Sequence, residues 1–191
     1  MEDAKYYKKI IRPMLGDKRY NHSLEVAKAA KKLAKKYGAD VEKAEVAGIL
    51  HDITKDTPLN EQLKIMKRFG IILDDVEVQT PNLWHQISGA AYIRNVLGIT
   101  DPEIVEPVRW HTSGKAGMTK LEKVVFVADF ISADRDYKGV EKMRILAKES
   151  LEIAMVEGLS FTISELALEN KLICKDTLDA YNEALLSTKK G

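Results

Sequence analysis

Gly48-Ile49-Leu50-His51-Asp52-Ile53-Thr54-Lys55 is the stretch around which this chain is organised. A small and apolar run closes on an adjacent histidine and aspartate, and the run reads as the end of a helix. A carboxylate is unwelcome there, because the helix dipole already places partial negative charge at a C-terminus. A histidine in apolar surroundings must also satisfy two ring nitrogens. One divalent cation answers both needs. The stretch therefore predicts a metal site and raises the question of where the other ligands come from.

The chain has four histidines: His22, His51, His85 and His111. Each falls at the start or end of a helical pattern or on its inner stripe. On the helix expected from Asp17, as N-cap, to Tyr37, His22 shares a stripe with Val26, Ala29 and Leu33. Asp40 caps the next helix, on which His51 lies over Ala44, Ala47 and Gly48. Small residues there let a neighbouring helix come close. Thr57 is read as the N-cap of a helix that has Pro58 in its first position and ends near Gly70. The segment from Ile71 to Pro81 is acidic and irregular, a loop or short helix and a candidate pocket wall. His85, Ser88, Gly89 and Tyr92 share one face of a helix that stops at Gly98. Asp101-Pro102 starts another, bent or interrupted at Pro107, which delivers His111. Thr119 and Glu122 form a capping box for a helix carrying Leu121, Val125 and Asp129 on one stripe. A carboxylate on an apolar stripe is costly to bury unless it is paired. For each residue there is a plainer reading: a satisfied core histidine, an exposed helix end, a solvated lysine at Lys55, a salt bridge at Asp129. Five inward-facing positions of ligand type make metal ligation the stronger one.

Helical periodicity runs throughout, with no period-two alternation, so the fold class expected is all-α: one helical bundle over residues 1–191. A metal-binding core spans about residues 17–135, with helices from 140 to 187 packed on it. A first helix is expected from Asp3 to Leu15. Arg135 lies in an exposed turn, Phe161 to Leu168 are packing residues, and Ser187 to Gly191 are loose. Length and apolar content allow a real core. The net charge of +1 argues against a nucleic acid polymer as partner. The single cysteine, Cys174, excludes an internal disulfide and suits a reducing compartment. No signal peptide or membrane-length apolar run is present, so a cytoplasmic protein is expected. A homodimer stays open.

The ordered set His22, His51-Asp52, His85, His111 and Asp129 resembles the HD-domain metal-dependent phosphohydrolases. Further stretches are similar to the bacterial YqeK family. They are Leu83-Trp84-His85 with Gly89-Ala90, Trp110-His111-Thr112 with Gly114 to Met118, Ala128-Asp129, Arg135-Asp136-Tyr137, and Asp176-Thr177-Leu178. Lys115 departs from the pattern, standing where arginine is expected. That resemblance implies symmetrical cleavage of diadenosine tetraphosphate (Ap4A) to two ADP, with iron in the site. It also implies a primary metal held by His22, His51, Asp52 and Asp129.

Imidazole and carboxylate donors without thiolate suit Fe, Mn, Co or Zn rather than Ca or Mg, as one or two ions. His85 and His111 either complete a second metal position, with Asp52 bridging, or donate hydrogen bonds to polyphosphate. Asp52 and Lys55 are the expected catalytic residues. Lys55, His85, His111 and Arg135 are placed to meet charge growing on the phosphoryl oxygens, and Thr112 to bond a phosphate. His22, Asp52 and Asp129 also face the substrate. By the resemblance, Cys174, Lys175, Asp176, Thr177, Leu178 and Asp179 lie near the nucleoside. One ADP half is then held firmly, with the metal at the phosphate farthest from its base. The alternatives are a related hydrolase of a nucleoside triphosphate, a monophosphate or ppGpp, and a non-catalytic nucleotide sensor.

Overall fold

The computed structural model describes residues 2–189. Eleven α-helices and no strands occur among them. Helix α1 spans Ala4–Ile11, with the Asp3 side chain accepting from Tyr6 N. It ends four residues earlier than the sequence suggests, ahead of Pro13, whose ring forbids continuation. Helix α2, Asp17–Tyr37, is capped by Gly16 and not by Asp17, which instead pairs with Arg12. Helix α3, Val41–Leu50, opens on Asp40, whose carboxylate accepts from Glu42 N and Lys43 N.

Helix α4, Leu59–Arg68, has Pro58 as its cap, one position later than expected. The segment before Pro81 contains a short helix α5, Asp75–Gln79, closed by an Asp74–Glu77 capping box, and a 3-10 turn follows at Pro81–Leu83. Helices α6, Trp84–Asn95, and α7, Pro102–Trp110, come next. Pro107 does not divide α7; the helix runs through it to His111 at its C-cap. Helix α8, Lys120–Ile131, carries the expected Thr119–Glu122 capping box. Helices α9, Val140–Glu149, α10, Leu151–Leu168, and α11, Lys175–Thr188, complete the chain. Ser187 and Thr188 are helical, contrary to the expected loose end, and Lys190 and Gly191 lie outside the described residues.

Helix α8 is the hub. Val124 to Ala128 are fully buried, and α2, α3, α7, α9 and α10 all pack on it. Apolar side chains gather on either side of this axis. One group joins Val26, Leu33, Phe126, Met143, Met155 and Leu159. The other joins Ile11, Ile49, Leu50, Ile53, Ile93, Ile104 and Val108. Helices α2 and α3 touch backbone to backbone, since a Cβ on Gly48 would sit 2.7 Å from Ala27 Cα. That crossing brings His51, three residues after Gly48, up to His22, five before Ala27. Phe161 to Leu168 depart from the expected packing. Phe161 is 39% exposed and Leu168 79%, while Thr162 and Leu166 of the same turns face a cavity.

Candidate active site

Five helices deliver the six expected donors to one buried point. Each arrives by a different local device. His22 and Asp129 project from within α2 and α8. His51 and His111 are the C-caps of α3 and α7. Asp52 follows His51 into a turn, and His85 sits in the first turn of α6. The four imidazoles form a row with edge-to-face contacts. Ring centroids are 5.3 Å apart for His22–His51, 4.9 Å for His51–His111 and 5.0 Å for His85–His111. Asp52 reaches the row with Oδ1 3.4 Å from His85 Nε2 and 3.5 Å from His111 Nε2, while its Oδ2 lies 3.4 Å from His51 Nε2. Asp129 Oδ1 is 2.9 Å from His22 Nε2.

The tautomers follow from the second nitrogen of each ring. A carbonyl can only accept, so His51 Nδ1 donates to Gly48 O at 2.8 Å and His111 Nδ1 donates to Val108 O at 2.8 Å. Both Nε2 atoms therefore aim a lone pair into the cluster. His22 Nδ1 faces Asp134 Oδ2 at 2.7 Å, the outer carboxylate that characteristically orients a ligating imidazole. His111 Nε2 lies 3.1 Å from His85 Nε2. His51 Nε2 is buried with no hydrogen-bond partner. A buried orphan nitrogen is rare in a native fold. This one belongs to both groups whose donor atoms lie within 4.8 Å of one another: His22, His51 and Asp129, and His51, Asp52 and His111. The donor set fits a divalent cation, with His51 common to both groups.

The electrostatics of the two carboxylates, His85 and His111 agree with that fit. Burial opposes charge on Asp52, but the facing imidazoles of His51 and His111 outweigh it and hold the carboxyl well below the usual range. Burial likewise opposes charge on Asp129, and the Arg135 guanidinium and His22 overcome it. Burial pushes both His85 and His111 down, which keeps the rings neutral and able to ligate. It also pulls at His22, where the bond to Asp129 wins and raises the pKa. Lys55 is lowered by burial, against the attraction of Asp52. Its Nζ lies 3.2 Å from His85 Nδ1.

Thr112 Oγ1 is 3.1 Å from His85 Nε2, at the far end of the row. Arg135 is half-buried rather than free in its turn. Its Nε donates to Asp129 O at 2.8 Å and its Nη2 bonds Asp129 Oδ1. Beyond Thr112 a cavity of ≈600 Å³ opens, walled by the 3-10 turn, Ser113, Thr162, Leu166, Cys174 and Thr177. Thr177 Oγ1 donates to Ser113 O at 2.9 Å and stands 2.9 Å from Cys174 Sγ. Of the expected nucleoside segment, Cys174 and Thr177 line this cavity. Lys175 and Leu178 are exposed, and Asp179 pairs with Lys175. Burial raises the pKa of Asp176. Lys115 is held by Glu106 at 3.2 Å and Glu122 at 3.0 Å, away from the row.

Several residues of the site escape a reading of histidines and carboxylates alone. Arg19 Nη1 donates to Asp52 Oδ2 at 2.8 Å; its signal was its place one turn before His22 on the same face. Asp134 is one residue from Arg135. Gln86 Oε1 accepts from Thr112 N at 3.0 Å and Ser113 N at 3.2 Å, fixing the wall shared with the cavity. Thr54 Oγ1 donates to His85 O at 2.9 Å, tying the His51-Asp52 turn to α6. Arg144 donates to the carbonyls of Ile131, Ser132 and Arg135 and fixes the turn that presents Arg135.

The HD-domain family model matches residues 19–134. A protein of Halalkalibacterium halodurans named symmetrical bis(5'-nucleosyl)-tetraphosphatase is 39% identical over 94% of this chain and 96% of its own length. Its namesake in Bacillus subtilis is 37% identical over 90% and 92%. This chain belongs to the symmetrical bis(5'-nucleosyl)-tetraphosphatase family of HD-domain proteins. A crystal structure from Clostridium acetobutylicum, of an HD superfamily hydrolase described as involved in NAD metabolism, has the same fold. It gives a TM-score of 0.93 at 32% identity over 98% of this chain and 99% of that one. The matched HD-domain span runs from Arg19 to Asp134 and so contains every donor of the row. The cavity walls at Thr162, Leu166, Cys174 and Thr177 fall outside it, on the helices that follow the HD domain.

Proposed function

We propose that this HD-domain protein hydrolyses Ap4A symmetrically to two ADP, with a metal held by His22, His51, Asp52 and Asp129. The observation that carries the reading is the orphaned His51 Nε2 at the centre of a buried row of imidazoles and carboxylates. The family relationship supports the substrate. Iron is the proposed metal, with Mn, Co and Zn suited to the same donors. Such a cation supplies a nucleophilic water at neutral pH and electrophilic assistance to a phosphoryl group.

The chain's own residues do the rest. Asp52 holds a fixed negative charge among the imidazoles, while the Gly48 and Val108 carbonyls, by accepting from Nδ1, turn the Nε2 lone pairs of His51 and His111 inward. Lys55, half-buried beside His85, meets the negative charge that grows on the phosphoryl oxygens, where a preorganised cation counts most. His85 and His111 complete the row toward Thr112, whose hydroxyl bonds a phosphate oxygen. The leaving group is a nucleoside diphosphate, so it departs with little need for a proton. The ≈600 Å³ cavity beside Thr112 has the size of a small-molecule site and takes one adenosine, with Cys174 and Thr177 in its wall. The test is chromatography of products after incubating the metal-loaded protein with Ap4A. ADP as sole product supports the reading. ATP with AMP would move the attacked phosphorus by one position, and no turnover would reject the substrate.

A further inference from the structure

The row of imidazoles has two unlike ends, and a dinucleotide cut in its middle has two like halves. At the His85 end stands Thr112 with the ≈600 Å³ cavity beyond it. At the other end His22 forms part of the wall of a second cavity of ≈330 Å³, which Lys18, Arg19, Arg135 and Tyr137 also line. We infer that this second cavity is a nucleoside diphosphate site that takes the other half of the dinucleotide; the inference rests on the Ap4A reading above.

Its chemistry suits phosphate. Arg19 and Arg135 each sit on a carboxylate assigned to the metal: Arg19 on Asp52 at 2.8 Å, Arg135 on Asp129. Were Asp52 and Asp129 to hold a metal, the N–H groups of the two guanidinium forks not bonded to them would grip phosphate oxygens, for which planar guanidinium donors are shaped. Lys18 adds a third positive charge and is exposed. Two carboxylates also line the cavity. Asp134 is committed to His22 Nδ1 at 2.7 Å, and Asp136 is exposed. Tyr137 supplies an aromatic wall. It is half-buried, and its ring packs on Phe161 at 5.2 Å and Phe130 at 6.5 Å between centroids. A fixed aromatic face of that kind stacks a base. The Arg144 hydrogen bonds that pin the turn after α8 hold this wall in place.

With an anchor at each end, the central anhydride of Ap4A is drawn over the middle of the row, where His51 lies. Symmetrical cleavage is then set by two anchors rather than by counting phosphates from one. The test is equilibrium dialysis of the metal-loaded protein against labelled ADP, with Ap4A turnover measured alongside. The wild-type chain should bind two ADP. Lys18→Glu, a change at an exposed position, should bind one, with its KM for Ap4A raised about tenfold or more, as loss of a charge-assisted contact implies. Leu166→Trp, which fills the larger cavity, should also bind one. One ADP per wild-type chain with Ap4A still cleaved to ADP would overturn the second site and leave the hydrolase reading intact. Two ADP in both wild type and Lys18→Glu, with an unchanged KM, would also overturn it. Neither ADP binding nor Ap4A cleavage would remove both.

Discussion

The middle of the molecule and its C-terminal end are built on opposite terms. Around α8, charged and imidazole groups are buried and most are answered by another, Asp52 by Arg19, Asp129 by Arg135 and His22 by Asp134, while His51 Nε2 is left without a partner. At the end of α10 and just after it the order reverses. Polar groups face outward and apolar ones are left partly uncovered, with Phe161, Leu168 and Leu172 exposed at the end of α10 and after it. The first region is over-determined, because a buried charge without a partner costs several kcal/mol. The second is permissive, because an exposed leucine costs little. The candidate metal ligands lie in the first region, and the larger cavity is walled partly by the second. The candidate metal ligands should therefore be intolerant of any exchange, and the cavity should tune recognition without destroying catalysis.

The largest effect that tests this contrast is at Asp52. Asp52→Ala should lower activity by more than about 10³-fold, beyond what a single hydrogen-bond donor contributes, while circular dichroism stays helical. An active Asp52→Ala protein would sink the assignment. Lys55→Ala should cost about 10²-fold in kcat at unchanged metal content; equal loss of both would make Lys55 a positioning residue for the metal instead. Asp134→Asn removes the outer partner of His22 and should weaken metal affinity about 10- to 100-fold, measured by competition with a chelating dye. A wild-type affinity would mean that His22 is oriented by packing alone.

The smallest effect is on stability against pH. In metal-free protein His85 and His111 titrate below their ordinary value because they are buried. As pH falls through about 6.5 the unfolded chain takes up protons that these folded rings refuse, so stability declines. Asp52 and Asp129, also lowered, add a second decline below about pH 4. His22, raised by Asp129, works the other way: its proton is held more tightly when folded, which offsets part of the first decline. Urea melts of chelator-treated protein from pH 8 to pH 4 should show this net loss. A stability that rises over that range would contradict the buried neutral imidazoles.

The same contrast explains what could be read without coordinates. The helices around the row were legible because their caps are explicit, as at Asp40, Asp101 and Thr119, and because a histidine or aspartate on an apolar stripe needs a reason. Helix ends were misplaced by a residue or more where proline or glycine took the cap, at Gly16 and Pro58. Arg19 was missed because an arginine near a helix start is ordinary until its partner, Asp52, is known to lie beside it. The larger cavity was the least legible part. Its wall joins residues near 80, 112, 162 and 174 through backbone and mixed side chains, and no local periodicity connects such distant segments. Phe161 to Leu168 read as packing because their apolar content is real; how much of that segment other elements cover is a tertiary property that no local pattern carries.

The central claim is that His51 Nε2 is left unpaired for a metal. It is tested most directly by metal analysis of purified wild-type protein and His51→Gln, each reloaded with Fe(II) or Mn(II) and freed of excess, with thermal melts of both. Wild type should retain at least one metal per chain and melt higher when loaded, since a ligand that binds only the folded state stabilises it. His51→Gln should retain none and melt at the same temperature with or without metal. Retention of the full metal content by His51→Gln, or a wild-type chain that gains neither metal nor stability, would contradict the account.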